Sequence, residues 1–138
     1  MDFSLSDDQQ ALRAAVERLC ARFPDEYWLE RDTKGGFPAD FQAAFAEAGF
    51  LGVAMPEVYG GSGLGITEAA IMMEAIAASG AGMSGASAIH LNIFGLNPVV
   101  VKGTEEQKAR MLPPLIAGRE KACFGVTEPD AGLDTLKI

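Results

Sequence analysis

The residues best suited to ligand chemistry lie near the end of the chain, in the run Thr127 to Gly132. The preceding residues, 122–127, have the composition of a β-strand, and Pro129 favours an extended conformation for the residue before it. Gly132 permits the positive φ that many tight turns need. Such a turn leaves backbone N–H groups and the Thr127 hydroxyl without protein partners, so a ligand that accepts hydrogen bonds fits there. Taken alone, these residues also suit an ordinary turn.

Other reactive side chains are sparse. His90 is the only histidine, and no serine lies in a GxSxG motif, so a catalytic triad is not supported. We expect His90 to pack or to line a cavity. Cys20 and Cys123 are far apart, without the CxxC spacing of a zinc site. Both thiols are predicted to be buried and reduced, because free cysteine packs as a small apolar residue. The sequence therefore predicts no catalytic residue and no metal site.

Glycines cluster at positions 60–65, as they do in some nucleotide-binding loops. The dinucleotide motif GxGxxG requires a preceding strand and a fixed glycine spacing. No starting point in this cluster supplies that spacing, and the chain has no GxxxxGK[ST] phosphate loop. We therefore predict a connecting loop, with a ligand-facing loop as the alternative.

The composition is that of one globular domain. The chain has 138 residues, of which 49% are hydrophobic and 22% charged, and this length can bury a core without disulfides or metals. A formal net charge of -8 argues against nucleic acid or an anionic membrane surface as partner. The acidic N-terminus is unlike a signal peptide, and no apolar run approaches the ~18 residues of a membrane span. These features predict a soluble protein of the reducing cytoplasm.

Helix signals occupy the first 118 residues. Capping boxes at Ser6–Gln9 and Thr104–Gln107 predict helix starts, because each pair of side chains satisfies two free N–H groups. Pro38 suits a first helical position and Thr67 suits an N-cap. The predicted helical stretches begin at or near Ser6, Asp25, Pro38, Thr67, Ser79 and Thr104.

Breaks and a change of pattern divide the rest of the chain. Gly49 and the pair Pro113–Pro114 are predicted to end helices, and residues 50–55 are predicted to be extended. The sequence thus predicts an all-α bundle of about five to six helices over residues 1–118. Residues 119–138 are predicted to supply the first strand and turn of a truncated β domain. A lone strand has nowhere to place its backbone hydrogen bonds.

Three stretches stand out as a set. They are AGFLGVAMPEVYGGSGLG at residues 48–65, GTEEQKARMLPPLIAG at 103–118 and CFGVTEPDAGLDT at 123–135. In order and spacing they resemble the acyl-CoA dehydrogenase family, and the third is similar to that family's first signature. The resemblance covers essentially the whole chain, but only about the first third of a full-length member. It implies the orthogonal and up-down helical bundle of the family's N-terminal domain, followed by the start of a β domain that contacts FAD.

The resemblance also implies a cofactor-binding role for the signature segment. By position, Phe124 would pack beside the isoalloxazine ring of FAD. Val126 and Thr127 would offer backbone and hydroxyl groups to the pyrimidine edge of that ring. Ala131 and Gly132 would approach the cofactor phosphates.

Two residues are implied as substrate contacts. Leu133 would approach both the cofactor phosphates and the CoA arm of the substrate. Many members have serine at this position, so the contact that remains for Leu133 is through its backbone. His90 lies on a helix, shared with Ala86 and Leu91, that matches the one lining the acyl cavity in the family. His90 would then help to set the preferred chain length.

The implied reaction is α,β-dehydrogenation of an acyl-CoA. A carboxylate removes the α-proton, the β-hydrogen leaves as hydride to FAD, and hydrogen bonds to the thioester carbonyl stabilise the enolate-like charge. The family's catalytic glutamate aligns with no residue of this chain. The implied partners are an acyl-CoA substrate, an electron-transfer flavoprotein as acceptor, and further copies in a homotetramer of the full-length protein.

Three accounts remain open on sequence grounds. The chain is the N-terminal part of an FAD-dependent acyl-CoA dehydrogenase, inactive when isolated. Alternatively, it is a non-enzymatic helical interaction module or relic with this fold. A third account is an acyl-CoA oxidase or a flavin monooxygenase of the same superfamily.

Overall fold

A computed structural model describes residues 4–137, so Met1 to Phe3 of the predicted polar N-terminus and Ile138 lie outside the described residues. The described chain is helical, which confirms the predicted all-α class, and the six-residue α6 is an addition to the predicted helices. The helices are α1 (Asp7–Cys20), α2 (Asp25–Lys34), α3 (Ala39–Glu47), α4 (Ile66–Ala78), α5 (Gly82–Phe94), α6 (Asn97–Lys102) and α7 (Glu105–Ile116). Short 3-10 turns lie at Phe50–Gly52, Glu57–Tyr59 and Thr135–Lys137. None of the helices within residues 4–137 is long and apolar enough to cross a bilayer.

Both predicted capping boxes are confirmed. At the start of α1, the Gln9 N–H donates to the Ser6 hydroxyl at 3.2 Å, and the Ser6 N–H donates to the Gln9 side chain at 3.1 Å. Thr104 and Gln107 repeat this arrangement at the start of α7, at 3.2 and 2.8 Å. Each box satisfies two N–H groups that a helix start would otherwise leave unpaired.

The start of α4 differs from the prediction. Thr67 lies inside the helix and is not its N-cap, since the helix begins at Ile66 with Gly65 as the cap. The Glu68 carboxylate accepts a hydrogen bond from the Gly65 N–H at 3.0 Å, and this bond provides the cap. A second oxygen of Glu68 accepts from the Gln9 side chain at 2.9 Å, which ties α4 to α1.

One predicted break and one predicted extended run are also wrong. Helix α7 continues through Pro113 and Pro114 to Ile116. A proline lacks an N–H but keeps its carbonyl, and these two carbonyls accept hydrogen bonds from residues 117, 119 and 120. Residues 50–55 are not extended, because Gly49 at φ 79° turns the chain into consecutive 3-10 hydrogen bonds.

The core is built mainly from α1, α3, α4 and α5. Phe41 is fully buried at its centre, with ring centroids 4.9 Å from Trp28 and 4.6 Å from Phe45. Helix α4 lies between α1 and α5, and its apolar character on nearly every side follows from contacts on two faces. A smaller cluster of Met55, Leu112, Leu115 and Ile116 attaches α7 to the turn after α3. We call residues 7–116 the helical body.

The chain beyond the helical body has little regular structure. Residues 122–127, predicted as a strand, pair with no other strand in the described part of the chain. The physical reason is that a strand needs a neighbour, and residues 4–121 form helices and turns. The division into a helical domain over residues 1–118 and a β segment over 119–138 stays a prediction.

Candidate functional site

Most of the predicted cofactor residues lie on the surface. We call residues 123–133 the terminal segment. Within it, Phe124 is 58% exposed, Val126 is 40% exposed and Leu133 is fully exposed. Thr127 and Gly132 are also exposed, whereas Ala131 is buried. Leu133 is thus uncovered within the described residues, and Phe124 and Val126 are only partly covered.

The turn in the terminal segment is closed by two reciprocal hydrogen bonds. The Glu128 N–H donates to the Ala131 carbonyl at 3.0 Å, and the Ala131 N–H donates to the Glu128 carbonyl at 3.2 Å. Gly132 does not have the positive φ that its type permits. Space is nevertheless open at Gly132, where an added Cβ would meet no atom within 4 Å.

The residues before the turn retain free hydrogen-bonding groups. Within the described residues, the backbone N–H groups of 121–127 donate to no protein acceptor, and the Thr127 hydroxyl likewise has none. This stretch therefore carries both exposed apolar side chains and unpaired backbone N–H donors. This combination suits neighbouring strands, or a ligand with an apolar face and hydrogen-bond acceptors at its edge.

His90 lies in a different place, on the wall of an open apolar groove between α4 and α5. The His90 Nδ1 atom is 3.1 Å from the Ser87 carbonyl oxygen, within hydrogen-bonding distance. We call this the α4–α5 groove; it has a volume of about 570 Å³. Its walls are formed by Ala70, Met73, Met83, Ala86, Ser87, His90 and Phe94. No residue of the terminal segment belongs to these walls, so the predicted contacts His90 and Leu133 are not brought together in the described chain.

The glycine-rich loop is held by its own backbone. Every N–H group from residue 60 to residue 65 donates to another group of the chain. A side chain at Gly61 would collide with the Met55 carbonyl oxygen, so the absence of a Cβ allows the loop to pack on that residue. With its N–H groups used internally, the loop offers no cradle for phosphate. This supports the predicted connecting loop over the ligand-facing alternative.

A tyrosine–carboxylate contact, which the sequence did not reveal, joins the glycine-rich loop to α7. The Tyr59 hydroxyl donates to the Glu105 carboxylate at 2.5 Å. This hydrogen bond raises the pKa of the Tyr59 phenol and lowers the pKa of the Glu105 carboxyl. Lys108 donates to the other Glu105 oxygen at 2.9 Å and lowers that pKa further. The contact is exposed, so it positions the loop without creating a reactive group.

The two cysteines have different environments. Cys20 is buried and free, as predicted, and burial raises the pKa of its thiol. Cys123 is free but exposed, so its predicted burial is wrong. It lies just beyond Ala122, the last residue before the terminal segment that packs against a cluster of the body.

One buried polar residue, Asn92, was not predicted from the sequence. Asn92 is 2% exposed, on the face of α5 that also buries Ile89 and Ile93. Its signal in the sequence is a single amide among apolar residues at helical spacing. Its partners are Gln42, Leu115 and Glu120.

Comparison with known proteins accounts for this architecture. Residues 6–119 match the family model described as acyl-CoA dehydrogenase, N-terminal domain. An acyl-CoA dehydrogenase of Mycobacterium tuberculosis is 38% identical over 140 residues, which cover 99% of this chain and 34% of that protein.

Two solved structures extend the comparison. The complex of glutaryl-coenzyme A dehydrogenase with glutaryl-CoA is 31% identical, with a TM-score of 0.85 over 100% of this chain and 35% of that one. The FAD complex of PigA is 26% identical, with a TM-score of 0.88 over 100% of this chain and 36% of that one. The chain thus spans about a third of the length of the relatives that it matches. By its sequence and its fold, this chain belongs to the acyl-CoA dehydrogenase family, and it corresponds to the N-terminal part of that family's members.

Proposed function

We propose that this chain is the N-terminal part of an FAD-dependent acyl-CoA dehydrogenase that introduces an α,β double bond into an acyl-CoA thioester. The observation that carries the proposal is the terminal segment. This segment carries the signature-like sequence of the family. Where it leaves the helical body, its apolar side chains and its backbone N–H donors are exposed. Two solved relatives, one in complex with glutaryl-CoA and one with FAD, match 100% of this chain.

The terminal segment fits one side of an FAD molecule. Phe124 offers an exposed aromatic face for the isoalloxazine ring, and the Val126 and Thr127 backbone donors and the Thr127 hydroxyl suit acceptor atoms at its edge. Gly132 leaves open space into which a phosphate can approach the backbone, beside Ala131. When bound, FAD supplies the acceptor for the hydride. The residues of the terminal segment hold and orient the cofactor.

The α4–α5 groove fits the acyl chain. Its walls are mainly apolar, and Met73 and Met83 can adapt to different chain shapes because methionine is flexible. His90 and Ser87 are the polar side chains on these walls, and His90, the larger of the two, would border the groove and influence the preferred chain length. Leu133 would contact the CoA arm through its backbone, because its side chain carries no hydrogen-bonding group.

The remaining functions belong to the whole protein. The carboxylate that removes the α-proton and the other walls of the flavin site are assigned to residues outside this chain. An electron-transfer flavoprotein as acceptor and a homotetramer are part of the same proposal. The free thiols Cys20 and Cys123 support a reducing compartment, and we place the protein in the cytoplasm.

Flavin absorbance tests the proposal directly. The purified 138-residue chain should retain no FAD and should not oxidise an acyl-CoA, because it supplies only one side of the site. The complete polypeptide encoded at the same locus should be yellow, and its visible band should bleach with an acyl-CoA. A flavin band in the short chain that bleaches with an acyl-CoA, or a complete polypeptide that binds no FAD, would contradict the proposal.

A variant of Thr127 sharpens this test. In the complete polypeptide, Thr127→Ala should weaken FAD binding about fivefold, the effect of one lost hydrogen bond. Thr33→Ala is the matched control, since Thr33 donates to the Leu29 carbonyl on exposed α2.

Turnover with an artificial electron acceptor but not with oxygen would separate a dehydrogenase from an oxidase.

A further inference from the structure

A buried amide lies where the helical body meets the terminal segment. Asn92 lies near the end of the buried face of α5, beside the buried Ile89 and Ile93. Burying an amide costs free energy unless its donors and its acceptor are paired. The position of Asn92 therefore calls for a role that an apolar residue cannot fill.

All the hydrogen-bonding atoms of the Asn92 side chain have partners. Its Nδ2 atom donates to the Leu115 carbonyl at 3.1 Å and to the Glu120 carbonyl at 3.0 Å. Its Oδ1 atom accepts from Gln42 Nε2 at the longer distance of 3.4 Å. One side chain of α5 therefore contacts α3, the end of α7 and a residue just before the terminal segment.

The next two residues along the chain are also held. Lys121 Nζ lies 3.5 Å from the centroid of the Phe37 ring, a cation–π contact. A Cβ built at Gly95 would lie 2.6 Å from the Ala122 Cβ, so the end of α5 and Ala122 approach closely because Gly95 has no side chain. Three consecutive residues, 120–122, are thus fastened to the body.

Past this point the chain is held less closely, and Ala131 is the one buried residue of the terminal segment. Residues 123–130 are exposed, and within the described residues the only backbone bonds from 123 to 131 are those that close the turn. The direction of the terminal segment is therefore set at residues 120–122. Among these contacts, Asn92 is the one that is both buried and directed, since its two donors point at two fixed carbonyls.

We infer that Asn92 is a positioning residue: by joining the end of α7 to residue 120, it fixes the direction in which the terminal segment leaves the helical body. This inference rests on the proposed function for its purpose, which is to present the segment to the flavin. A leucine of similar size would fill the same space, but it would leave the Leu115 and Glu120 carbonyls without this donor. The body would remain folded while the exit loosened.

Hydrogen exchange of the 138-residue chain tests the inference without any cofactor. The Arg119 and Glu120 N–H groups donate to the Pro114 carbonyl at 3.0 and 3.2 Å, so they report on the exit. In Asn92→Ala, their exchange should accelerate about tenfold more than exchange in α1, because a local bond is lost. A nitroxide on the exposed Cys123, in a Cys20→Ala background, should gain mobility.

A matched control separates positioning from general stability. Ile89→Ala removes a fully buried side chain from the same helix without touching residue 120. It should accelerate exchange in α1 and at the exit by similar factors and leave the nitroxide spectrum unchanged. Gln42→Leu should also spare the exit, because it removes only the partner of the Asn92 oxygen.

Equal acceleration at the exit and in α1 for Asn92→Ala, with an unchanged nitroxide spectrum, would overturn the inference. If Asn92→Ala does not fold, Asn92→Ser provides the same comparison with a shorter side chain that cannot span both carbonyls. These readouts involve no FAD, so their outcome is independent of the flavin experiment. A complete polypeptide without FAD would defeat the proposed function and leave the measured role of Asn92 at the exit intact.

Discussion

In the helical body, side chains such as Phe41 and Met72 are fully buried, whereas in the terminal segment Leu133 is fully exposed and Phe124 more than half exposed. The backbone shows the same contrast, since helices satisfy their own N–H groups while residues 121–127 leave theirs unpaired within the described chain. The body therefore has the contacts to fold from its own sequence. The terminal segment has fewer such contacts within the described residues.

The largest expected difference between the two regions is in the effect of side-chain truncation. Phe41→Ala should lower the free energy of unfolding by about 3–5 kcal/mol, because Phe41 is fully buried among aromatic rings. Leu133→Ala should change it by less than about 0.5 kcal/mol. Urea denaturation of both variants measures these values. A clear loss for Leu133→Ala would show that the terminal segment packs on the body.

Glycine substitutions should give an intermediate effect. Gly61→Ala places a Cβ against the Met55 backbone, which cannot move as a flexible side chain would, so we expect a loss of about 1–3 kcal/mol. Gly132→Ala meets open space and should leave the stability of this chain unchanged. Thermal unfolding followed by circular dichroism provides the comparison. Equal stability of Gly61→Ala and the wild type would contradict the close packing of the glycine-rich loop.

The smallest effect concerns an exposed cap and depends on pH. Hydrogen bonds, first from Gln9 and then from backbone N–H groups, lower the pKa of the Glu68 carboxyl below its ordinary value. A carboxyl whose folded pKa is depressed stabilises the fold above its unfolded pKa, and that contribution is lost as the pH falls through the folded value. Wild-type stability should therefore decline below about pH 4.5 more steeply than that of Glu68→Gln.

Urea midpoints at about pH 5 and about pH 3 measure that difference. Glu106→Gln is the matched control, because Glu106 also lies in the first turn of a helix but is not its cap. If the urea midpoint falls by the same amount between these pH values in Glu68→Gln and in the wild type, Glu68 does not contribute to the loss of stability in acid.

The sequence predicted the helices well where a short-range signal decides the outcome. The two capping boxes specify helix starts through side chains only three residues apart, and Gly49 marks a helix end through its own φ. The prediction failed at the end of α7, because proline usually ends a helix. Helix α7 continues through Pro113 and Pro114, and their carbonyls accept hydrogen bonds from residues 117, 119 and 120, which follow the helix.

The candidate site divides in the same way. The signature motif identified the family and its expected flavin contacts, which stay predictions for Phe124, Val126, Thr127 and the turn. Neither its exposure nor the role of Asn92 follows from local sequence. The donors of Asn92 reach carbonyls 23 and 28 residues away, and such distances are fixed only when α5 and α7 pack together. Cys123 is exposed because it follows Ala122, where packing against the helical body ends.

The proline pair in α7 has a consequence for the unfolded chain. Each proline ring restricts the conformations open to its own residue and to the residue before it, so the unfolded chain samples fewer shapes at positions 112–114 than elsewhere. The residue before each proline is biased away from the helical region, so this restriction does not by itself favour the last turn of α7. The packing of the buried Leu112, Leu115 and Ile116 stabilises that turn instead. The end of the helical body, from which the terminal segment departs, therefore depends on tertiary contacts for its helical form.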